Sequence, residues 1–281
     1  MHLSHIYRPV RFFLITFLGT WTLWFIAAYY SYQKGMGWLQ LLFMMSGLFM
    51  PFIAALIMIY GSKDKELIKD FWDRLSFYRV KFSYLIVVLL LMPSVLFLAT
   101  GFSLLFGQSI DQFTLSSEYE VMKGWSIFSL LTPLFLAPTL EELGWRGYGM
   151  DSLKASFTLF VASLVFALLW ALWHVPLFFI KGFYQHELWN ASSVYVINFF
   201  VSLLPAVILM NWMYYKNCRS ITAVIMFHSI INLSSVLFKT TQFTKCIITV
   251  LLLIVSAVVI MKNKQLFFSD NASNDMQIYN N

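Results

Sequence analysis

The sequence predicts an all-α membrane protein, a polytopic bundle of about eight transmembrane helices. Hydrophobic residues make up 60% of its 281 residues, charged residues only 11%, and the mean hydropathy is +0.74. Soluble domains carry about 25% charged residues, so this chain has too few polar side chains to cover a surface that faces water. We therefore expect one integral membrane domain over residues 1–281.

Long apolar runs supply the predicted spans. A helix needs about 20 apolar residues to cross a bilayer, and backbone in lipid must satisfy its own hydrogen bonds. The runs are Phe12–Tyr32, Trp38–Tyr60, Phe82–Phe106, Gly124–Leu143, Phe157–Ile180, Ser193–Tyr215, Ile221–Phe238 and Cys246–Met261. The first run is too long for a signal peptide and no small-residue cleavage site follows it, so we interpret it as a retained helix.

The basic residues predict the orientation of the bundle. The connecting segments fall on alternate sides of the membrane. Of the 19 Lys and Arg residues, 14 lie in the segments on the same side as the N-terminus and 5 lie in those on the opposite side. Cytoplasmic loops carry the excess of positive charge, which predicts a multi-pass cell-membrane protein with both termini in the cytoplasm. The spread of these residues over many loops argues against a nucleic-acid partner. We expect the basic connector Gly61–Lys81 to be a solvated helix on the inner surface, and Ser269–Asn281 to be a disordered tail.

Few ionisable side chains occur in or beside the runs, and each costs about 2.5–3.5 kcal/mol at a helix centre. They are Glu141, Glu142, Arg146, His174 and His228. Glu142 and Arg146 are four residues apart, so they share a helix face and can pair. Glu141 is rotated by about 100° from Glu142, and Trp145 rather than a cation follows it by one turn. We predict that Glu142 and Arg146 are structural supports and that Glu141 is the working carboxylate.

The two histidines each have a partner one turn away on the same helix face: Trp170 precedes His174, and Asn232 follows His228. For a single intramembrane histidine, a hydrogen bond to a neighbouring helix is an equally good interpretation. The whole set favours a shared site instead. We expect Glu141, His174, His228 and Asn232 to line one polar cavity that opens toward the cytoplasm.

The sequence contains three motifs in order: Glu-Glu-x-x-x-Arg at Glu141–Arg146, Trp-x-x-x-His at Trp170–His174 and His-x-x-x-Asn at His228–Asn232. Together they resemble the motifs of the CPBP family of CAAX prenyl endopeptidases and Abi proteins. The resemblance covers about Gly124–Phe238, the expected catalytic core, although family members usually have Phe where Trp170 stands. It implies an intramembrane endopeptidase that cuts near the cytoplasmic membrane face.

The resemblance also implies roles for these residues. Glu141 with His174 would activate water, and His228 with Asn232 would hold the oxyanion, with Glu142, Arg146 and Trp170 in support. The implied partner is a peptide or a membrane-anchored protein, with or without a prenyl group. The family also includes proteins linked to bacteriocin processing and self-immunity.

Other chemistries and functions remain open at this point. Glu141, His174 and His228 are a legitimate ligand set for zinc, but the sequence lacks the His-Glu-x-x-His spacing of zinc proteases, so we favour an enzyme without a metal or other cofactor. A transport protein would also place charges inside the membrane, and an immunity or scaffold protein could keep the same residues for packing alone.

Overall fold

The computed structural model describes residues 7–116 and 132–269, and this part of the chain is helical apart from short connections and an isolated β-bridge between Leu115 and Phe238. The predicted all-α fold class is confirmed. Residues 1–6, the first eight residues of the fourth run (124–131) and nearly all of the predicted tail Ser269–Asn281 lie outside the described residues.

The α-helices are numbered in chain order. They are α1 Pro9–Ser31, α2 Gly37–Leu48, α3 Met50–Gly61, α4 Lys65–Asp73, α5 Phe82–Leu104, α6 Ala137–Gly144, α7 Met150–Lys154, α8 Leu159–Trp173, α9 Tyr184–Ala191, α10 Ser193–Lys216, α11 Ile221–Leu237, α12 Gln242–Lys262 and α13 Lys264–Phe268. Short 3₁₀ turns lie at Phe77–Arg79, Ile110–Phe113 and Val175–Phe179, and two π-helical segments, Thr132–Leu136 and Trp145–Gly149, flank α6.

Within the described residues, six helical stretches are long and apolar enough to cross a membrane. They are Pro9–Ser31, Gly37–Gly61, Phe82–Leu104, Leu159–Phe179, Ser193–Lys216 and Gln242–Lys262. Helix α11, with 17 residues, is shorter. The chain is therefore a multi-pass membrane protein.

Two runs differ from uninterrupted helices. The second run divides at Phe49 into α2 and α3, where Pro51 stands in the first turn of α3. The fifth run was expected to continue to Ile180, but α8 ends at Trp173. Pro176 has no amide hydrogen to extend the α-helix, and the chain goes on as a 3₁₀ turn over Val175–Phe179.

From Thr132 the fourth run is helical, and the helical segments continue past the end of the run to Lys154. Helix α6 packs against both α3 and α11. A Cβ atom on Gly144 would lie only 2.4 Å from the carbonyl carbon of Pro51, and one on Gly149 would lie 2.6 Å from the Phe12 ring. These glycines therefore let α3 and α1 approach the segment that carries the glutamates.

The connector contradicts one expectation. Its helix α4 is capped by Asp64, whose carboxylate accepts hydrogen bonds from the amides of Glu66 and Leu67, both at 2.9 Å. One face of α4 is buried at Leu67 and Phe71. Arg74, one residue past the helix, is 0% exposed. The prediction of a solvated connector is thus wrong for Arg74, because carboxylates and carbonyls of the core replace its water.

Candidate active site

Helix α6 places the two adjacent glutamates in different surroundings. Glu142 is 0% exposed and pairs with Arg146 through Oε2 at 2.7 Å. The ion pair predicted from the four-residue spacing is therefore present. The Arg146 guanidinium also donates to Asn211 Oδ1 at 3.1 Å and lies 5.0 Å from the centre of the Phe166 ring. The buried cation is thus held by a carboxylate, an amide oxygen and an aromatic ring.

The second oxygen of Glu142 reaches another helix. His228 Nδ1 lies 2.9 Å from Glu142 Oε1, so the ring donates to this carboxylate. The sequence reasoning assigned Glu142 to Arg146 alone. The contact with His228 was not predicted, because the two residues are 86 positions apart and helix spacing reports only on neighbours within one helix.

Trp170 contacts three of the predicted site residues. Its indole N–H donates to Glu141 Oε2 at 2.9 Å. Its ring centre lies 5.4 Å from that of His174 and 5.5 Å from that of His228. Glu141, His174 and His228, from α6, the end of α8 and α11, are therefore gathered around one indole.

The end of α8 determines the orientation of His174. The backbone N–H of His174 bonds to Ala171 O at 3.2 Å, three residues back. The carbonyl of Trp170, which an α-helix would use for that N–H, instead lies 2.7 Å from His174 Nδ1. A carbonyl can only accept, so Nδ1 carries the hydrogen. In the neutral ring the other nitrogen, Nε2, is then an acceptor.

Asn232 lies one turn beyond His228 on α11, as predicted. Its backbone carbonyl accepts a hydrogen bond from the Ser235 hydroxyl at 2.7 Å. The role of its side chain stays a prediction.

Zinc held by Glu141, His174 and His228 is the alternative chemistry that the sequence left open. Among the described residues, no group of three or more His, Cys, Asp or Glu side chains is arranged to hold a metal ion. Both oxygens of Glu142 are engaged by Arg146 and His228. The metal-free reaction stays a prediction.

A second polar cluster lies next to the site, on the side predicted to be cytoplasmic. Asp151 Oδ2 accepts from Arg74, Arg219 and Tyr214, and Asp151 Oδ1 accepts from Tyr215. Burial would raise the pKa of Asp151, but Arg219 and Arg74 outweigh it and hold that pKa below its ordinary value. This cluster joins the connector to the core, and no sequence motif predicted it.

Comparison with known proteins identifies the family of this chain. Residues 123–234 match the family described as type II CAAX prenyl endopeptidase Rce1-like. The chain is also 43% identical over 266 residues to CAAX prenyl protease 2 of Methanococcus maripaludis. The aligned region covers 94% of this chain and 97% of that relative. Similarity at this level over nearly the whole of both chains shows that the protein belongs to the Rce1-like CAAX prenyl endopeptidase family of membrane proteases.

Proposed function

We propose that this protein hydrolyses a peptide bond in a prenylated, membrane-anchored protein, with water activated by Glu141 and His174. The prenylated substrate follows from the name of the relative, CAAX prenyl protease 2, with which the chain is 43% identical. Family membership favours an endopeptidase over the transport and scaffold alternatives. The observation that carries the mechanism is the contact of Trp170 with Glu141, His174 and His228.

The first half of the reaction uses the acceptors of the site. With Nδ1–H held by the Trp170 carbonyl, Nε2 of His174 can accept a hydrogen bond from water and orient it. Glu141 takes the proton as the water oxygen attacks the carbonyl carbon of the scissile bond. A carboxylate in a site poor in water is a stronger base than one in solution.

The second half uses donors. The tetrahedral oxyanion accepts hydrogen bonds from His228 and the Asn232 amide, a class of interaction worth about 3–4 kcal/mol per donor. Because His228 Nδ1 already donates to Glu142, donation from Nε2 requires that the ring carry both protons. The Glu142 carboxylate stabilises that charged ring. The C–N bond then breaks, and Glu141 returns its proton to the leaving amine.

The decisive experiment compares Glu141→Gln with the parent enzyme on a farnesylated peptide that ends in Cys-aliphatic-aliphatic-x. We expect cleavage to be abolished while expression and folding are unchanged, because glutamine keeps an oxygen that can accept from Trp170 but cannot serve as a base. The same peptide without its farnesyl group tests the substrate class. Cleavage by Glu141→Gln at the parent rate would refute the mechanism, and equal cleavage of both peptides would refute the prenylated substrate.

Trp170→Phe tests the link that gathers the site. It removes the indole N–H from Glu141 and keeps an aromatic ring beside both histidines. A hydrogen bond to a charged group contributes about 1.5–3 kcal/mol, so we expect kcat to fall about tenfold or more. A kcat within about twofold of the parent value would contradict a positioning role for the indole.

A further inference from the structure

Arg74 joins the connector to the segment that follows the glutamates. It stands just past α4 and is 0% exposed. Its Nη1 donates to the carbonyl of Arg146 at 2.8 Å, and its Nη2 donates to the carbonyl of Gly147 at 3.0 Å. One planar guanidinium thus holds two consecutive carbonyls of the chain, a geometry that a fork of fixed donors suits.

These carbonyls belong to a widened turn of helix. The N–H of Met150 bonds to the carbonyl of Trp145, five residues back, instead of four as in an α-helix. Such π-helical turns are rare and frequently occur at functional sites. Here the widened turn, Trp145–Gly149, carries Arg146, and two of its carbonyls accept hydrogen bonds from a residue of the connector, Arg74.

Side-chain contacts connect the widened turn to His228, the proposed oxyanion donor. The side chain of Arg146 pairs with Glu142, and Glu142 bonds to His228. A shift of the Arg146 backbone would therefore displace the guanidinium, the carboxylate and the imidazole in turn. Misplacement of a catalytic group by about 1 Å can cost about 100-fold in rate.

Arg74 is itself fixed from the other side. Its Nε lies 2.9 Å from Asp70 Oδ2, and its Nη1 lies 2.8 Å from Asp151 Oδ2. The Tyr214 hydroxyl lies 3.1 Å from the Arg146 carbonyl and shares its single hydrogen between this oxygen and Asp151 Oδ2. The cation is neutralised and cannot rotate away from the two carbonyls without breaking these contacts.

We infer that Arg74 is a positioning residue for peptide hydrolysis: it holds the widened turn Trp145–Gly149 and thereby sets the position of Arg146, Glu142 and His228. This inference rests on the proposed function. It assigns to the connector a part in catalysis, although Arg74 is remote in sequence from every motif of the site.

The test compares Arg74→Lys with a matched variant, Arg219→Lys. Both arginines pair with Asp70 and Asp151, but the bonds to the Arg146 and Gly147 carbonyls come from Arg74. Lysine keeps the charge and loses the fork. With rates normalised to folded, monodisperse protein, we expect Arg74→Lys to lower kcat about 10- to 100-fold at unchanged KM, and Arg219→Lys to lower it less than threefold, on the order of one weakened ion pair. Equal losses in the two variants, or a kcat for Arg74→Lys within about threefold of the parent, would overturn the inference.

If the lysine variants fold poorly, Tyr214→Phe and Tyr215→Phe test whether the contacts of the widened turn position the site. The hydroxyls of Tyr214 and Tyr215 both lie 2.9 Å from an oxygen of Asp151. Tyr214 shares its single hydrogen between Asp151 and the Arg146 carbonyl, which lies 3.1 Å away. We expect Tyr214→Phe to lower kcat at least threefold relative to Tyr215→Phe, on the order of one lost hydrogen bond, with faster amide hydrogen exchange over Trp145–Asp151. Equal kcat values and equal exchange would count against Arg74 as a positioning residue. Glu141→Gln runs in parallel: if that variant cleaves at the parent rate, the proposed mechanism fails, whatever the tyrosine variants do.

Discussion

Replacing Glu142 by glutamine tests whether this residue supports the site through its charge. The substitution changes little volume and leaves an amide oxygen that can still accept one hydrogen bond. It removes the negative charge that faces Arg146 at 2.7 Å and His228 at 2.9 Å. The Arg146 guanidinium would keep Asn211 and the Phe166 ring as partners, but neither is an anion.

The magnitude follows from burial. Both side chains of the Glu142–Arg146 pair are 0% exposed, and removing one partner of a buried ion pair costs about 3–5 kcal/mol, because the other charge is left without compensation. At about 2–4 °C per kcal/mol for large domains, we expect Tm to fall by about 6–20 °C. Glu141→Gln should cost only about 1–1.5 kcal/mol, the difference between a charged and a neutral hydrogen bond, since the glutamine oxygen can still accept from Trp170.

The assay is thermal unfolding of the purified protein in detergent, followed by fluorescence-detected size exclusion, for the parent, Glu142→Gln and Glu141→Gln. A third variant, Glu142→Gln with Arg146→Met, removes the uncompensated cation and should recover part of the lost stability. Melting of Glu142→Gln within about 2 °C of the parent, or a larger loss for Glu141→Gln, would refute the assignment of the two carboxylates.

Three further predictions concern the cluster, the orientation and the metal. Because the pKa of Asp151 is lower in the folded protein, its ionised form stabilises the fold above the unfolded pKa of about 4, and this contribution is lost as pH falls through the folded pKa. Asp151→Asn should therefore lower Tm at pH 7, with a difference from the parent that shrinks below about pH 4; a constant difference would contradict this. Single cysteines at Lys65 and Asp111, in a background without Cys218 and Cys246, should label from the cytoplasmic and outer sides respectively, and the opposite result would invert the topology. Purified, active enzyme should contain no stoichiometric metal by elemental analysis, whereas one zinc per chain with chelator inhibition reversed by zinc would establish the alternative.

Patterns within a single helix could be predicted from the sequence. The apolar runs predicted the helices, because backbone in lipid must satisfy its hydrogen bonds locally. The observed helices differ from the predicted ones beside prolines. The α-helix of the fifth run ends before Pro176, and the second run divides into two helices beside Pro51. The Glu142–Arg146 pair was also predictable, because residues four apart share a helix face whatever the helix packs against.

Contacts between helices were decided only by the tertiary structure. The rotation and depth of α6, α8 and α11 place Trp170 against Glu141, and His228 against Glu142. Periodicity within each helix is compatible with many relative rotations, so it could not select these pairs. Arg74 is the clearest case: by sequence it is one of six basic residues in a charged connector, and burial between Asp151 and two backbone carbonyls is what distinguishes it. A local pattern records neighbours along the chain, whereas the energy of a buried charge depends on partners that only packing brings within reach.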